Sequence, residues 1–202
     1  EVASPGYYKV HLDATDIDVE LTVTARAGMH KYTYPSSENQ KLILDLEHRD
    51  QFLDLNITDV SKYEVKGYRF SQAWAEDQRL YFHIRFSHAV DIPTYFQRGS
   101  DSRNRMGGYQ FINPLNDPVF VSIGISAVDE EGARKNLEAE IGDKSFAQLK
   151  TEANAVWEKQ LEKIVVESPN EDEKAIFYSS LYHTMLAPNL YQDVDGRYRG
   201  MD

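Results

Sequence analysis

Ile17, Val19, Leu21, Val23 and Ala25 alternate along the chain with Asp18, Glu20, Thr22, Thr24 and Arg26. A period of two sends successive side chains to opposite faces of an extended strand, so this stretch has one apolar face and one polar face. Ala27-Gly28 then supplies a turn before a second strand from Met29 to Tyr34, which Pro35 ends, and the pair reads as a hairpin. The same alternation recurs at Leu42, Leu44, Leu46; at Leu53, Leu55, Ile57; at Leu80, Phe82, Ile84, Phe86; and at Val119, Val121, Ile123, Ile125. No helical stripe interrupts these runs. Strands that follow one another without intervening helices make antiparallel sheets, and such sheets bury their apolar faces on each other, so the pattern predicts a β-sandwich. One segment breaks the rhythm. Gln97 to Pro118 carries Arg98, Arg103, Arg105 and the Gly107-Gly108 pair with no alternation, and it reads as a flexible loop.

After Ala127 the period changes. Ala133, Leu137 and Ile141 fall on one helical face, with Glu130 and Glu131 in the first turn, where they complement the helix dipole. Ser145 and Gln148 form a capping-box pattern ahead of Phe146, Leu149, Ala153, Val156, Trp157, Leu161 and Ile164, a long apolar stripe that predicts a second helix. Asn170 and Glu173 repeat the pattern before a third helix over Ala175 to Leu186, ended by Pro188. No Gly/Ser tether separates sheet from helices, so the two parts are expected to pack as one rigid unit.

Charge narrows the partners. With 33 acidic against 22 basic residues, the net charge of -11 repels phosphate backbones and anionic membranes, which leaves neutral or cationic ligands. The absence of cysteine excludes thiolate zinc sites, disulfides and thiol catalysis. No apolar run approaches the roughly 20 residues of a membrane span. Serine-hydrolase, Walker, dinucleotide and zincin motifs are absent.

The remaining candidates are individually weak. Asp193-Val194-Asp195-Gly196 resembles the opening of a calcium loop but lacks the later oxygen ligands of an EF-hand, so it reads first as a tight turn with solvated or capping aspartates. His183, among Tyr182, Met185 and Leu186, reads as a hydrogen-bonded, half-buried residue. Asp13, Asp16 and Asp18 could serve as paired carboxylates, yet their place at a strand start favours turn chemistry and an outward face. Trp74 could stack on a ligand, but between two strands it reads as a packing anchor. From His183 to Asp202 the chain interleaves aromatic, acidic and arginine side chains with glycines, the composition of a binding loop held by a scaffold at both ends. Both chain ends look cut from something longer.

EVASPGYYKVHL, ELTVTARAGMHKYTYP, GYRFSQAWAEDQRLYF, VSIGISAVDEEGARKNLEAE and IFYSSLYHTMLAPNLYQDVDGRYRGMD together resemble glycoside hydrolase family 92, the calcium-dependent exo-acting α-mannosidases. The resemblance implies a mainly β fold: an antiparallel, supersandwich-like β-sandwich over residues 1–127, a helical linker over 128–168, and the start of an (α/α)6 barrel over 169–202. It further implies an inverting exo-α-1,2-mannosidase that trims terminal mannose from N-glycans or mannans, with mannose-containing glycans and the rest of the same polypeptide as partners. Calcium is implied as cofactor, with ligands outside this segment, and the location implied is periplasmic or secreted. The catalytic acid and base are expected beyond Asp202, and glycine-rich strand segments before Glu1, so this segment alone is expected to be inactive. Substrate contact carries over only to Asp202, with Arg199 and Gly200 beside it, Arg199 being as well suited to an ion pair that shapes the loop. The competing reading is a non-catalytic carbohydrate-binding or interaction β-sandwich.

Overall fold

A computed structural model describes residues 1–48, 50–98 and 101–200. Its strands are β1 (Val2–Ser4), β2 (Tyr7–Leu12), β3 (Ile17–Val23), β4 (Ala27–Thr33), β5 (Lys41–Asp45), β6 (Gln51–Asp59), β7 (Glu64–Gln72), β8 (Gln78–Phe86), β9 (Thr94–Arg98), β10 (Asp101–Gln110) and β11 (Val119–Ser126). Three helices follow: α1 (Glu130–Glu140), α2 (Phe146–Leu161) and α3 (Glu171–Thr184). The strands form an eight-stranded sheet in the order β1-β2-β3-β4-β11-β8-β7-β6 and a three-stranded sheet in the order β5-β10-β9. All ladders are antiparallel, as the alternating runs require.

Register explains the layers. Val121 lies opposite His30 on one side and Phe86 on the other, so these side chains share a face of the large sheet. That face buries Leu55, Ile57, Val65, Phe82, Ile84, Phe86, Val119 and Val121 with Tyr109 of the small sheet and the neighbouring Val90 and Phe111. The opposite face, at Ala27 and Met29, packs against Leu137, Ile141, Phe146 and Leu149 of the helical part. The large sheet is therefore the middle of three layers, with a sheet on one side and helices on the other. Gly124 makes the second contact possible. A Cβ there would lie 2.2 Å from the Ala133 carbonyl oxygen and 2.9 Å from the Leu137 nitrogen, so only glycine lets the α1 backbone ride directly on β11.

The helix caps match their sequence signals. Ser145 and Gln148 close a reciprocal capping box at α2, and the Asn170 side chain accepts from the Asp172 amide at the start of α3. Helix α3 starts at Glu171 rather than Ala175, because its acidic first turn continues directly from that cap.

Four expectations are corrected. Ala27-Gly28 is not the hairpin turn: both residues open β4, paired with Gly124 and Val23, and the turn is Thr24 to Arg26, closed by Thr24 N donating to the Ala27 carbonyl at 2.8 Å. The segment from Gln97 to Pro118 is not a flexible loop: most of its first half belongs to β9 and β10. Alternation is present there but disguised, because the buried positions of β10 are Arg105, Gly107 and Tyr109. Arg105 donates to Glu47 Oε1 at 2.5 Å and lies 4.9 Å over the Phe52 ring, while Gly107 leaves room for the ring of Tyr109. The following turn is pinned by buried Asn113, which donates to Gln40 Oε1 at 3.0 Å and to the Asp117 carbonyl at 2.7 Å.

Trp74 is not a packing anchor but fully exposed, at 101%. The β7–β8 pairing stops at Ser71 opposite Gln78, so the ring sits on the turn, past the point where a sheet face could receive it. His183 is exposed rather than half-buried, because α3 has no buried residue at all and touches α2 through a Trp157–Tyr182 edge contact at 4.7 Å. Asp13, Asp16 and Asp18 do surround a turn, where Asp18 meets His11 Nδ1 at 3.0 Å and Asp16 takes a left-handed φ of 54°.

Candidate functional site

After α3 the chain passes through a cis Ala187-Pro188 bond and returns to the sandwich as an irregular segment, residues 189 to 200. Its centre is a tight turn. Asp193 N donates to the Arg197 carbonyl at 2.8 Å, Gly196 N donates to the Asp193 carbonyl at 3.0 Å, and Gly196 takes the φ of 86° that such a turn needs.

Asp193 fixes the turn to the scaffold. It is 5% exposed; its Oδ2 accepts from Ser126 Oγ at 2.7 Å and its Oδ1 from Asn136 Nδ2 at 2.7 Å. Asn136 is itself 0% exposed, and its Oδ1 accepts from Val194 N at 2.9 Å. The carboxylate fits because residue 132 is glycine, where a Cβ would come 2.2 Å from Asp193 Oδ2. The end of β11, one face of α1 and the returning segment thus meet at one hydrogen-bonded core. The turn expected for this motif is present, with Asp193 buried rather than solvated. Sequence reading missed the site because the partners, Ser126, Gly132 and Asn136, are unremarkable residues far away along the chain.

Ion pairs close the edges. Arg197 binds Asp129 Oδ2 at 2.5 Å and Asp195 Oδ2 at 2.9 Å, and Lys135 reaches Asp195 Oδ2 at 2.9 Å. The Lys135 ammonium first, then Arg197, lowers the Asp195 carboxyl from 3.8 to about 2. The Arg197 guanidinium likewise holds Asp129 below the usual carboxylate range. Arg26 donates to the Gln192 carbonyl while its Nη1 binds Glu140 at 2.6 Å.

Among the residues marked for substrate contact, Arg199 donates to the Asp77 carbonyl at 2.9 Å and to Asp77 Oδ2 at 2.7 Å, tying the segment to the β7–β8 turn. Gly200 is exposed beside it. Asp202 lies outside the described residues. Between hairpin and segment runs a cleft of about 130 Å³ lined in part by Leu80, Ile125, Asn136, Leu190, Tyr191 and Asp193.

The carboxylates here do not suit a metal. Asp193, Asp195, Asp129 and Asp77 are each engaged by hydrogen-bond donors or cations within the protein, and among the described residues no cluster of three or more His, Asp or Glu is arranged to hold an ion. A calcium ion therefore finds no ready ligand set in the described part of the chain.

Two family models cover almost the whole sequence end to end: the glycosyl hydrolase family 92 N-terminal domain matches residues 1–126 and the glycosyl hydrolase family 92 catalytic domain residues 132–202. No curated protein matches the chain. Among solved structures, a family GH92 alpha-mannosidase from Bacteroides thetaiotaomicron aligns with 98% of this chain at 30% identity with a TM-score of 0.86. That enzyme has also been solved in complex with mannoimidazole. A family GH92 inverting mannosidase from the same species aligns with 98% of the chain at 22% identity and a TM-score of 0.84, a likeness of fold alone. The chain spans 29% and 28% of the lengths of these two proteins.

Proposed function

Since the chain belongs to glycosyl hydrolase family 92, we propose that it forms the sandwich, the linking helices and the first barrel segment of a longer α-mannosidase. The observation that carries this reading is the continuous match to an α-mannosidase over 98% of the chain, across both the sheet and the helical part. The catalytic-domain match over residues 132–202 favours the enzyme over a free-standing carbohydrate-binding sandwich.

The finer reading is an inverting exo-α-1,2-mannosidase acting on N-glycan or mannan ends outside the cytoplasm. In such a reaction one carboxylic acid protonates the glycosidic oxygen while a carboxylate across the sugar activates water, the pair standing about 6.5–9.5 Å apart. Both carboxylates, and the ligands of any calcium ion, are assigned to the remainder of the polypeptide. This chain's own contribution is positional. The Asp193 core and the Arg199–Asp77 pair hold the returning segment against the sandwich as far as Arg199. Asp202 would accept hydrogen bonds from mannose hydroxyls. No helix among the described residues is long and apolar enough to cross a membrane.

The test is release of mannose from α-1,2-mannobiose by a longer polypeptide that includes the whole catalytic domain. That polypeptide is expected to turn over and to lose activity in chelator, and the 202-residue chain to be inert. Absence of release by the longer form removes the enzyme reading, and turnover by the short one overturns the assignment of the carboxylates.

A further inference from the structure

Strand β8 turns Phe82, Ile84 and Phe86 toward the sandwich core, so His83 among them faces the other way, toward the helical layer. There α1 packs on β8, and His83 is 5% exposed, buried by residues of this chain alone. Further polypeptide can only cover it more. Its partners across the sheet are Gly124 on β11 and Lys66 on β7. Gly124 brings no charge, and it is the point where the α1 backbone rides on the sheet.

Charged groups surround the ring unevenly. From β7, Glu64 Oε2 stands 3.6 Å from His83 Nε2, beyond ordinary hydrogen-bond length, and Lys66 is held by Glu130 of α1 at 2.7 Å. On β8 itself, Tyr81 and Arg85 share the helix-facing side, the Arg85 guanidinium donating to the Gly142 carbonyl. From α1 comes Arg134, paired with Glu131 at 2.6 Å and with Glu138, and ahead of it the Asp129 cap, bound by Arg197. A proton on His83 therefore adds a second cation near Arg134 in a buried position, with one loosely placed carboxylate to receive it. Burial holds the imidazole below its ordinary 6.5; Glu64 opposes this, Arg134 adds to it and Glu138 opposes it.

The same helix carries Asn136, which holds both Asp193 Oδ1 and Val194 N. We propose that His83 is a pH-sensitive device beneath α1: its protonation loosens the helix from the sheet and, through Asn136, releases the returning segment. The docked state binds the proton less readily than the open one, so docking is unaffected well above pH 6.5 and weakens as pH falls below it. This window lies far above that of Asp195, near 2. The device stands independently of the mannosidase reading.

Hydrogen exchange followed by mass spectrometry in the longer polypeptide tests it, each rate taken against the intrinsic rate at that pH. From pH 7.5 to 5.5 the protection of α1 and of residues 192–197 should fall severalfold, about tenfold being the ceiling for one such proton, while β10 should not change. His83→Gln should keep the protection seen at pH 7.5 and lose the fall. Exchange of the imidazole C2 hydrogen reads each histidine's protonation without any variant, and it should place His83 below 6.5. Arg134→Met should raise that value, and the fall in protection should move with it. No fall in the parent, an equal fall in His83→Gln, or His83 titrating at its ordinary value or above would each overturn the proposal. Should the glutamine variant not fold, the imidazole readout and Arg134→Met decide the matter.

Discussion

Replacing Asp193 by alanine should release the returning segment without unfolding the sandwich. The substitution removes the acceptors of Ser126 Oγ and Asn136 Nδ2, two groups in buried residues. Each keeps another bond: Asn136 Nδ2 still donates to the Ile125 carbonyl at 2.8 Å, and Ser126 Oγ still accepts from Val128 N at 2.9 Å. One donor hydrogen is therefore orphaned on each, at about 1–3 kcal/mol apiece, and water entering the vacated space offsets part, leaving about 3 kcal/mol. At about 1.4 kcal/mol per tenfold, the segment's opening constant rises roughly a hundredfold. The strand ladders do not involve Asp193, so the loss is local. Amide hydrogen exchange reads it directly: the amides at positions 193, 194 and 196 should exchange about a hundredfold faster than in the parent, while Val121 in the middle of β11 should not change. Asp193→Asn keeps one acceptor and should accelerate exchange far less. Alanine-variant exchange within about threefold of the parent, or equal acceleration at Val121, would refute the claim that Asp193 is the local clamp.

Acid should loosen the same segment. Asp195 titrates at about 2 against its ordinary 3.8, so its pairs with Lys135 and Arg197 contribute in full above about pH 4, and that contribution is lost as pH falls toward 2; the protection of the Gly196 amide, its exchange rate taken against the intrinsic rate at each pH, should fall across that window, and less so in Lys135→Met. Gly124→Ala forces a Cβ onto main-chain atoms of α1 that cannot rotate away, and overpacking of this kind costs about 1–3 kcal/mol. It should lower the urea midpoint at an unchanged slope, and an unchanged midpoint would refute the docking of α1 on β11.

How much of this was legible in the sequence follows from what kind of interaction each part uses. The β3–β4 hairpin was legible because Val19, Leu21 and their neighbours alternate openly, and α2 because Ser145 and Gln148 bond within one turn of each other. Strand β10 was hidden because an arginine neutralised by Glu47 and a glycine under a tyrosine ring occupy its buried positions, and hydrophobic alternation cannot register either. Trp74 misled because residue type carries no information about whether a strand ends just before it. The terminal DVDGRYRG stretch announced a turn and a binding composition through its own residues, yet its clamp was invisible, since Ser126 and Asn136 are 67 and 57 positions away. Local chemistry reads directly from sequence; the partners of a buried carboxylate emerge only once the sheet and α1 are assembled.

The central claim is that this scaffold serves an inverting mannosidase, and proton NMR of the first minutes of α-1,2-mannobiose hydrolysis by the longer polypeptide tests it most directly. The account predicts β-mannose as the first anomer released, with α-mannose appearing only as it mutarotates. α-Mannose appearing first, or no mannose at all, would contradict it.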